Sequence, residues 1–206
     1  MKALLAYPRN NKAMYLARVQ AHREADELVQ GIPWETNGTT RGCAVGCTLH
    51  CYDHARYPKL LGVPEELAYL QDAIFEGLPQ AEALAFPEAF LSAIQPGADL
   101  SLVWPRFAVR LLKRCRQRIG KGREAWRRKE RQAVDGVLAL YTEWVRTGVK
   151  PAVEKFEAAA WAARAEARSS WVPGVGARDR DGEAAESLQQ RDDLLELLAA
   201  APIPSP

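Results

Sequence analysis

The chain has no long hydrophobic run. Nothing in it approaches the roughly 20 consecutive apolar residues that span a bilayer, which excludes a membrane-spanning helix. The start, Met1-Lys2-Ala3-Leu4-Leu5-Ala6-Tyr7-Pro8-Arg9, carries too short an apolar stretch for a secretory signal. Cysteine is scarce, with four in 206 residues, so a disulfide scaffold is excluded and a cytoplasmic setting with reduced thiols is expected. Few segments alternate with period two and β-branched residues are sparse, which argues against sheet. There is no internal repeat at solenoid spacing. No helix-turn-helix or finger spacing is evident.

What is present is an ordinary apolar content of 48%, enough for a core. The length suits one domain, or one domain with a tail. The net charge of +2 conceals an uneven distribution. Residues 1–105 hold eight Lys/Arg against twelve Asp/Glu, residues 106–131 hold twelve against two, and residues 132–206 again hold eight against twelve. One short segment concentrates a positive field between two mildly acidic parts.

Turn and cap signals divide the chain into helices. A first helix is expected over 11–30, with Tyr15, Val19, His22, Asp26 and Val29 on one face and Gly31 closing it. Residues 31–42 read as a loop, rich in turn residues. A helix through the cysteine-rich stretch should end before Pro58. Another starts at Gly62-Val63-Pro64-Glu65-Glu66 and is stopped by Gly77 and Pro79. A short one opens at Phe86-Pro87. The next runs from Ser101 past Pro105 to Ile119, and a long one covers 123–147. Pro151 restarts a helix toward Ser170, 171–177 is a linker, and 183–200 forms a last helix before a disordered Pro-rich end. The fold class is therefore all-α: a helical bundle of about six to eight helices with a flexible C-terminal tail. Its expected parts are 1–105, a helical Cys/His region; 106–170, basic and long helices packing on it; and 171–206, a linker, an acidic helix and the tail.

Chemistry concentrates in Arg41-Gly42-Cys43-Ala44-Val45-Gly46-Cys47-Thr48-Leu49-His50-Cys51-Tyr52-Asp53-His54, which holds three of the four cysteines and two of the three histidines. On a helix, Cys43, Cys47, His50 and His54 share a stripe about 60° wide, yet Cys43 and His54 lie roughly 16 Å apart along the axis. One ion cannot join both ends. Pairs one turn apart can share an ion, and His22 from the preceding helix is the obvious third ligand to His50 and His54. Three protein ligands plus water is the arrangement of a catalytic zinc site. Asp26 or Asp53 could support it. The string from His50 to His54 also resembles the H-x-x-E-H pattern of inverzincins, with Asp53 in place of Glu. A structural set of Cys43, Cys47 and His50 is the alternative. Two other readings stay open. The small residues Gly42, Cys43, Ala44, Gly46 and Cys47 can let two helices approach closely, with the histidines incidental. Cys43 and Cys47 can form a redox pair, since thiols near a helix N-terminus are acidified.

The segment from His22-Arg23-Glu24-Ala25-Asp26-Glu27 through this stretch to Leu61-Gly62-Val63-Pro64, continuing over Ile74-Phe75-Glu76-Gly77-Leu78-Pro79 and Pro96-Gly97-Ala98-Asp99-Leu100-Ser101, resembles a family of small uncharacterised phage- and prophage-type proteins. The resemblance covers about the first half of the chain. It implies a phage-related setting, in which small interaction proteins are common, and carries over no catalytic residues. Cys51 departs from the family pattern.

The basic segment 106–131 includes Arg114, Arg116, Arg118, Lys121, Arg123, Arg127, Arg128 and Arg131, with Trp126 as a stacking candidate. Arginine exceeds lysine, which suits phosphate or carboxylate forks. A nucleic acid, an acidic protein partner and a plain solvated surface all fit. Two functions are weighed. The first is a non-enzymatic binding protein, with a structural metal such as zinc, iron or manganese, that engages a host protein or nucleic acid through 106–131. The second is a metal-dependent hydrolase built on His22, His50 and His54, with Asp53 or Glu27 as base.

Overall fold

A computed structural model describes residues 4–38, 40–120, 125–159 and 180–205, with backbone alone at 125, 126, 180 and 181. Lys121, Arg123, the indole of Trp126, Trp161 and the expected linker 171–177 lie outside what is described. The chain is mostly helical. It divides into two compact units, Met1–Trp104 with Asp179–Pro206, and Pro105–Arg178.

The first unit contains α1 (Lys12–Glu24), the two-residue strands β1 (Trp34–Glu35) and β2 (Arg41–Gly42), α2 (Ala44–Leu49), a 3-10 turn (His54–Arg56), α3 (Tyr57–Leu61), α4 (Glu65–Gly77), α5 (Gln80–Ala93) and α9 (Arg180–Ala199). The strands pair antiparallel, Trp34 opposite Gly42. α1 packs on α2 and α5, α4 on α2 and α5, and α9 on α4 and α5. Tyr57, Phe75, Phe86, Phe90, Leu67 and Leu194 lie wholly inside.

Several helix ends differ from the sequence reading. α1 stops at Glu24 because Asp26 takes a left-handed φ of 57°. Tyr15, Val19 and His22 keep the expected buried stripe, whereas Asp26 and Val29 fall in the following loop. The helix expected through the cysteine stretch is only six residues long. His50 closes it in the left-handed conformation at φ 58°, and the chain re-enters helix at Tyr57 with Pro58 in the first turn, where a missing N–H costs nothing. α4 starts and stops as expected, with Glu65 and Glu66 in its first turn. α5 begins at Gln80, ahead of Phe86, and carries Pro87 internally. That proline cannot donate to the Ala83 carbonyl.

The C-terminus is also different from expectation. Leu194, Leu197 and Leu198 of α9 are buried, as is Ala201. The Asp99 N–H donates to the Pro202 carbonyl at 2.8 Å. The leucine stripe of α9 supplies apolar area that α4 and α5 cover, so residues as far as Pro202 belong to the first unit and do not trail as a free tail.

The second unit holds α7 (Ala125–Thr147), the helical residues 153–159 (α8) and α6 (Val103–Ile119) from Pro105 onward. Arg116 on α6 pairs with Asp135 on α7 at 2.7 Å. Near the far end of α7, Trp144 is buried, and the Tyr141 and Trp144 rings both meet Phe156 of α8.

Candidate functional site

At Gly42 and Gly46 the close approach is to a loop. A Cβ on Gly46 would land on the Pro33 carbonyl oxygen, and one on Gly42 would come within 2.9 Å of that oxygen and of the Trp34 ring. Both glycines thus let Pro33-Trp34 lie directly on α2. Cys43 caps that helix, its sulfur accepting the Gly46 N–H at 3.5 Å. Every residue from Ala44 to Leu49 is buried.

At the end of α2 the chain delivers His50 to His22. Their Nε2 atoms are 2.9 Å apart, and the His22 Nδ1 lies 2.6 Å from the Glu27 carboxylate. The ring centroids are 5.0 Å apart. The nitrogens therefore meet nearly head-on, the geometry of an N–H···N bond rather than of two ligands aimed at a common point off the line between them. Trp34 stacks on His50 at 5.4 Å and meets His22 edge-on at 5.7 Å. His22 is buried, while His50 is exposed.

Proton counting limits what this chain can do. His22 donates Nδ1–H to Glu27. With both rings neutral, the His50 Nε2–H donates to the His22 Nε2 and the His50 Nδ1 carries the lone pair. A proton taken up at that Nδ1 can be passed from Nε2 to His22, leaving the positive charge beside Glu27. Two imidazolium rings cannot keep the contact, because both facing nitrogens would bear hydrogen. Partial desolvation, Arg18 and His22 lower the His50 pKa, which favours the neutral ring.

The three histidines expected together are separated. With α2 ended at Leu49, His54 falls on the 3-10 turn and faces another neighbourhood. Its ring stacks on Tyr69 at 4.1 Å, and its Nε2 lies 3.4 Å from Asp72. Asp53 caps the 3-10 turn through the Ala55 N–H. Cys47 is buried with its thiol donating to the Gly42 carbonyl at 3.3 Å, and burial with the nearby Glu27 pushes its pKa up to about 12. Burial, followed by the Asp72 carboxylate, raises Cys43 as well. Desolvation outweighs the helix N-terminus at both thiols, contrary to the acidified pair expected. His22, His50, His54, Cys43 and Cys47 are not brought around one point. Among the described residues no group of three or more His, Cys, Asp or Glu is placed to hold a metal ion.

A second cluster was not anticipated. Gly31, Pro33, Cys43, Tyr52, Asp72 and Glu76 line an open cleft of about 210 Å³. The Tyr52 hydroxyl donates to Asp72 at 2.8 Å, and the Gly31 N–H donates to Glu76 at 2.7 Å. The available sequence signal was the spacing of Asp72 and Glu76, one turn apart on a single helix face.

The basic segment is partly engaged within its own unit. Arg127 and Arg131 donate to the carbonyls of Ile119 and Gly120, closing the end of α6, and Arg116 is paired with Asp135. Arg114 is half-buried, whereas Arg118 and Arg128 are exposed. α6 carries Arg106, Arg110, Lys113, Arg114, Arg116 and Arg118 and no carboxylate. At 100° per residue, Arg106, Arg110 and Lys113 fall within about 60° of one another, on the side away from the buried Phe107 and Ala108.

No family model, no curated protein and no solved structure matches the chain.

Proposed function

We propose that the chain is a helical binding protein that docks on a polyanion, with nucleic-acid phosphates as the partner, through the cationic face of α6. The observation that carries this reading is a 17-residue helix bearing six cations and no acid. Phe107 and Ala108 are buried, and Arg106, Arg110 and Lys113 share a sector about 60° wide, so the fields of these three add. The resemblance of the first half to phage-type proteins suits a small binding protein.

Reversal of Arg106, Arg110 and Lys113 to glutamate tests the reading in fluorescence anisotropy with labelled single- and double-stranded DNA and RNA. If three phosphates are neutralised, affinity should fall roughly 40-fold between 50 and 200 mM salt, and the reversed protein should not bind. No binding to any of these at low salt would remove the nucleic-acid partner. Binding to an acidic host protein instead, lost in the same variant, would reassign the face to a protein.

The Glu27–His22–His50 chain favours a second reading, hydrolysis by general-base catalysis at His50 with His22 as its orienting partner. It replaces the three-histidine metal hydrolase, whose ligands do not converge. Hydrolysis of a panel of carboxylic and phosphoric esters, abolished by His50→Gln and unchanged by His54→Gln, would support it. Activity that is indifferent to His50 would end it.

A further inference from the structure

The rim of the His22–His50 pair carries chemistry that neither reading has used. His50 ends α2 in the left-handed conformation, where glycine is the usual residue. It is exposed. Its Nε2 is taken by His22, and among the described residues nothing bonds its Nδ1. Two guanidinium groups from other elements are anchored on residues before and after it in the chain. Arg18 of α1 donates from Nη1 to the Thr48 carbonyl at 2.9 Å, and Arg56 of the 3-10 turn donates from Nη1 to the Cys51 sulfur at 3.0 Å. Each spends a single N–H there and keeps the rest of its fork. Arg18 also lies over the Tyr15 ring, 5.4 Å from its centroid. Burial raises the pKa of the Tyr15 hydroxyl, while Arg18, Arg56 and Arg9 act to lower it, so the charges of all three are felt at one point. Among the described residues none of the three is paired with a carboxylate. They gather in a part of the chain whose acids outnumber its bases, twelve against eight over residues 1–105.

We infer that Arg18 and Arg56 hold the phosphate group of a phosphate ester, and that such esters are the substrate class of the base His50. The inference rests on the general-base reading and deepens it. A carboxylic ester is neutral and would leave both guanidinium groups unused. A phosphate ester brings negative non-bridging oxygens that match the arginine fork in charge and geometry, and fixed cations also stabilise the charge on phosphorus as it is attacked. Arginines alone would make a charged patch. The lone pair on the His50 Nδ1, backed by His22 and Glu27, sets a base within it. In the reaction the His50 Nδ1 takes one proton of a water molecule, and the water oxygen bonds to phosphorus. The P–O bond to the leaving alcohol breaks with its electron pair on that oxygen, which takes a proton from solvent. The proton held by the His50–His22 pair then returns to solvent. The site lies wholly in the first unit and does not depend on α6.

The test follows nitrophenol release by the full chain from p-nitrophenyl phosphate, bis(p-nitrophenyl) phosphate and p-nitrophenyl acetate. At least one phosphate ester should be hydrolysed, and His50→Gln should abolish that hydrolysis. Arg56→Gln, at an exposed position, should raise KM for the phosphate ester and lower its kcat/KM at least 10-fold more than that for the acetate. Arg18→Lys should do the same several-fold. Inorganic phosphate should compete with the phosphate ester in the wild type and more weakly in Arg56→Gln. Preference for the monoester assigns the substrate to a terminal phosphate, and preference for the diester to an internal one. Hydrolysis of the acetate alone, lost in His50→Gln, would overturn the inference and leave the general base standing. Hydrolysis of none of the three would end the general-base reading and the inference with it. Phosphate-ester hydrolysis indifferent to His50, or arginine variants that affect phosphate and acetate alike, would also overturn the inference. If Arg18→Lys fails to fold, Arg56→Gln carries the test alone.

Discussion

The two units are stabilised in different ways. In Met1–Trp104 with Asp179–Pro206, whole side chains are removed from water: Tyr57, Phe75, Phe90, Leu67 and Leu194 are completely enclosed. Some of its buried polar groups are tied to partners, as where the Tyr7 hydroxyl donates to the Leu91 carbonyl and that of Tyr57 to Gln71. In Pro105–Arg178, most described positions are half-buried or exposed, and charged contacts such as Arg116 with Asp135 and the arginine caps of α6 are prominent. Apolar burial is non-directional and strong, whereas exposed ion pairs contribute little and weaken with salt. The first unit is therefore suited to holding side chains in fixed geometry, and the second to presenting charge.

The difference can be broken most severely in the first unit. Phe90→Ala should cost about 3–5 kcal/mol, read as a lower midpoint in urea. Gly46→Ala comes next, at about 1–3 kcal/mol, because its methyl group must displace the Pro33 carbonyl. It should also move Trp34 off His50, which a change in tryptophan emission would report. An unchanged midpoint and unchanged emission would mean that the loop does not rest on α2.

The pH response of His50 is a smaller effect. Its folded pKa lies below the ordinary 6.5, so below that pH the unfolded chain takes up the proton first and stability falls as pH drops. The contribution is complete above about 6.5 and lost as pH falls through the lower folded value. His50→Gln should flatten this part of the stability–pH curve, and a curve unchanged by the substitution would contradict the assignment. The smallest effect is expected for Arg128→Glu on the second unit, within about 0.5 kcal/mol. A loss as large as that of Phe90→Ala would erase the distinction between the units.

Much of the helix content was legible because apolar periodicity and punctuation by Pro and Gly are local signals. α4 is the clearest case, with acids in its first turn and Gly77 and Pro79 at its end. α9 was legible as a helix, but its docking was not, because a leucine stripe does not say what covers it. The site was legible only in part. His22 and His50 were singled out correctly as neighbours across a loop. His54 was grouped with them because a helix through residue 54 was assumed, and nothing local announces that a histidine will turn left-handed.

The sequence by itself determined the mostly helical class, the concentration of positive charge in 106–131 and the small-residue character of the stretch around α2. Those follow from composition and spacing along the chain. Only the tertiary structure decided that Gly42 and Gly46 admit Pro33-Trp34, that His50 meets His22 rather than His54, and that Asp72 and Glu76 face a cleft with no lysine or arginine partner among the described residues. Each of these is a contact between segments distant in sequence, set by how the helices pack and by single backbone turns that no periodicity encodes.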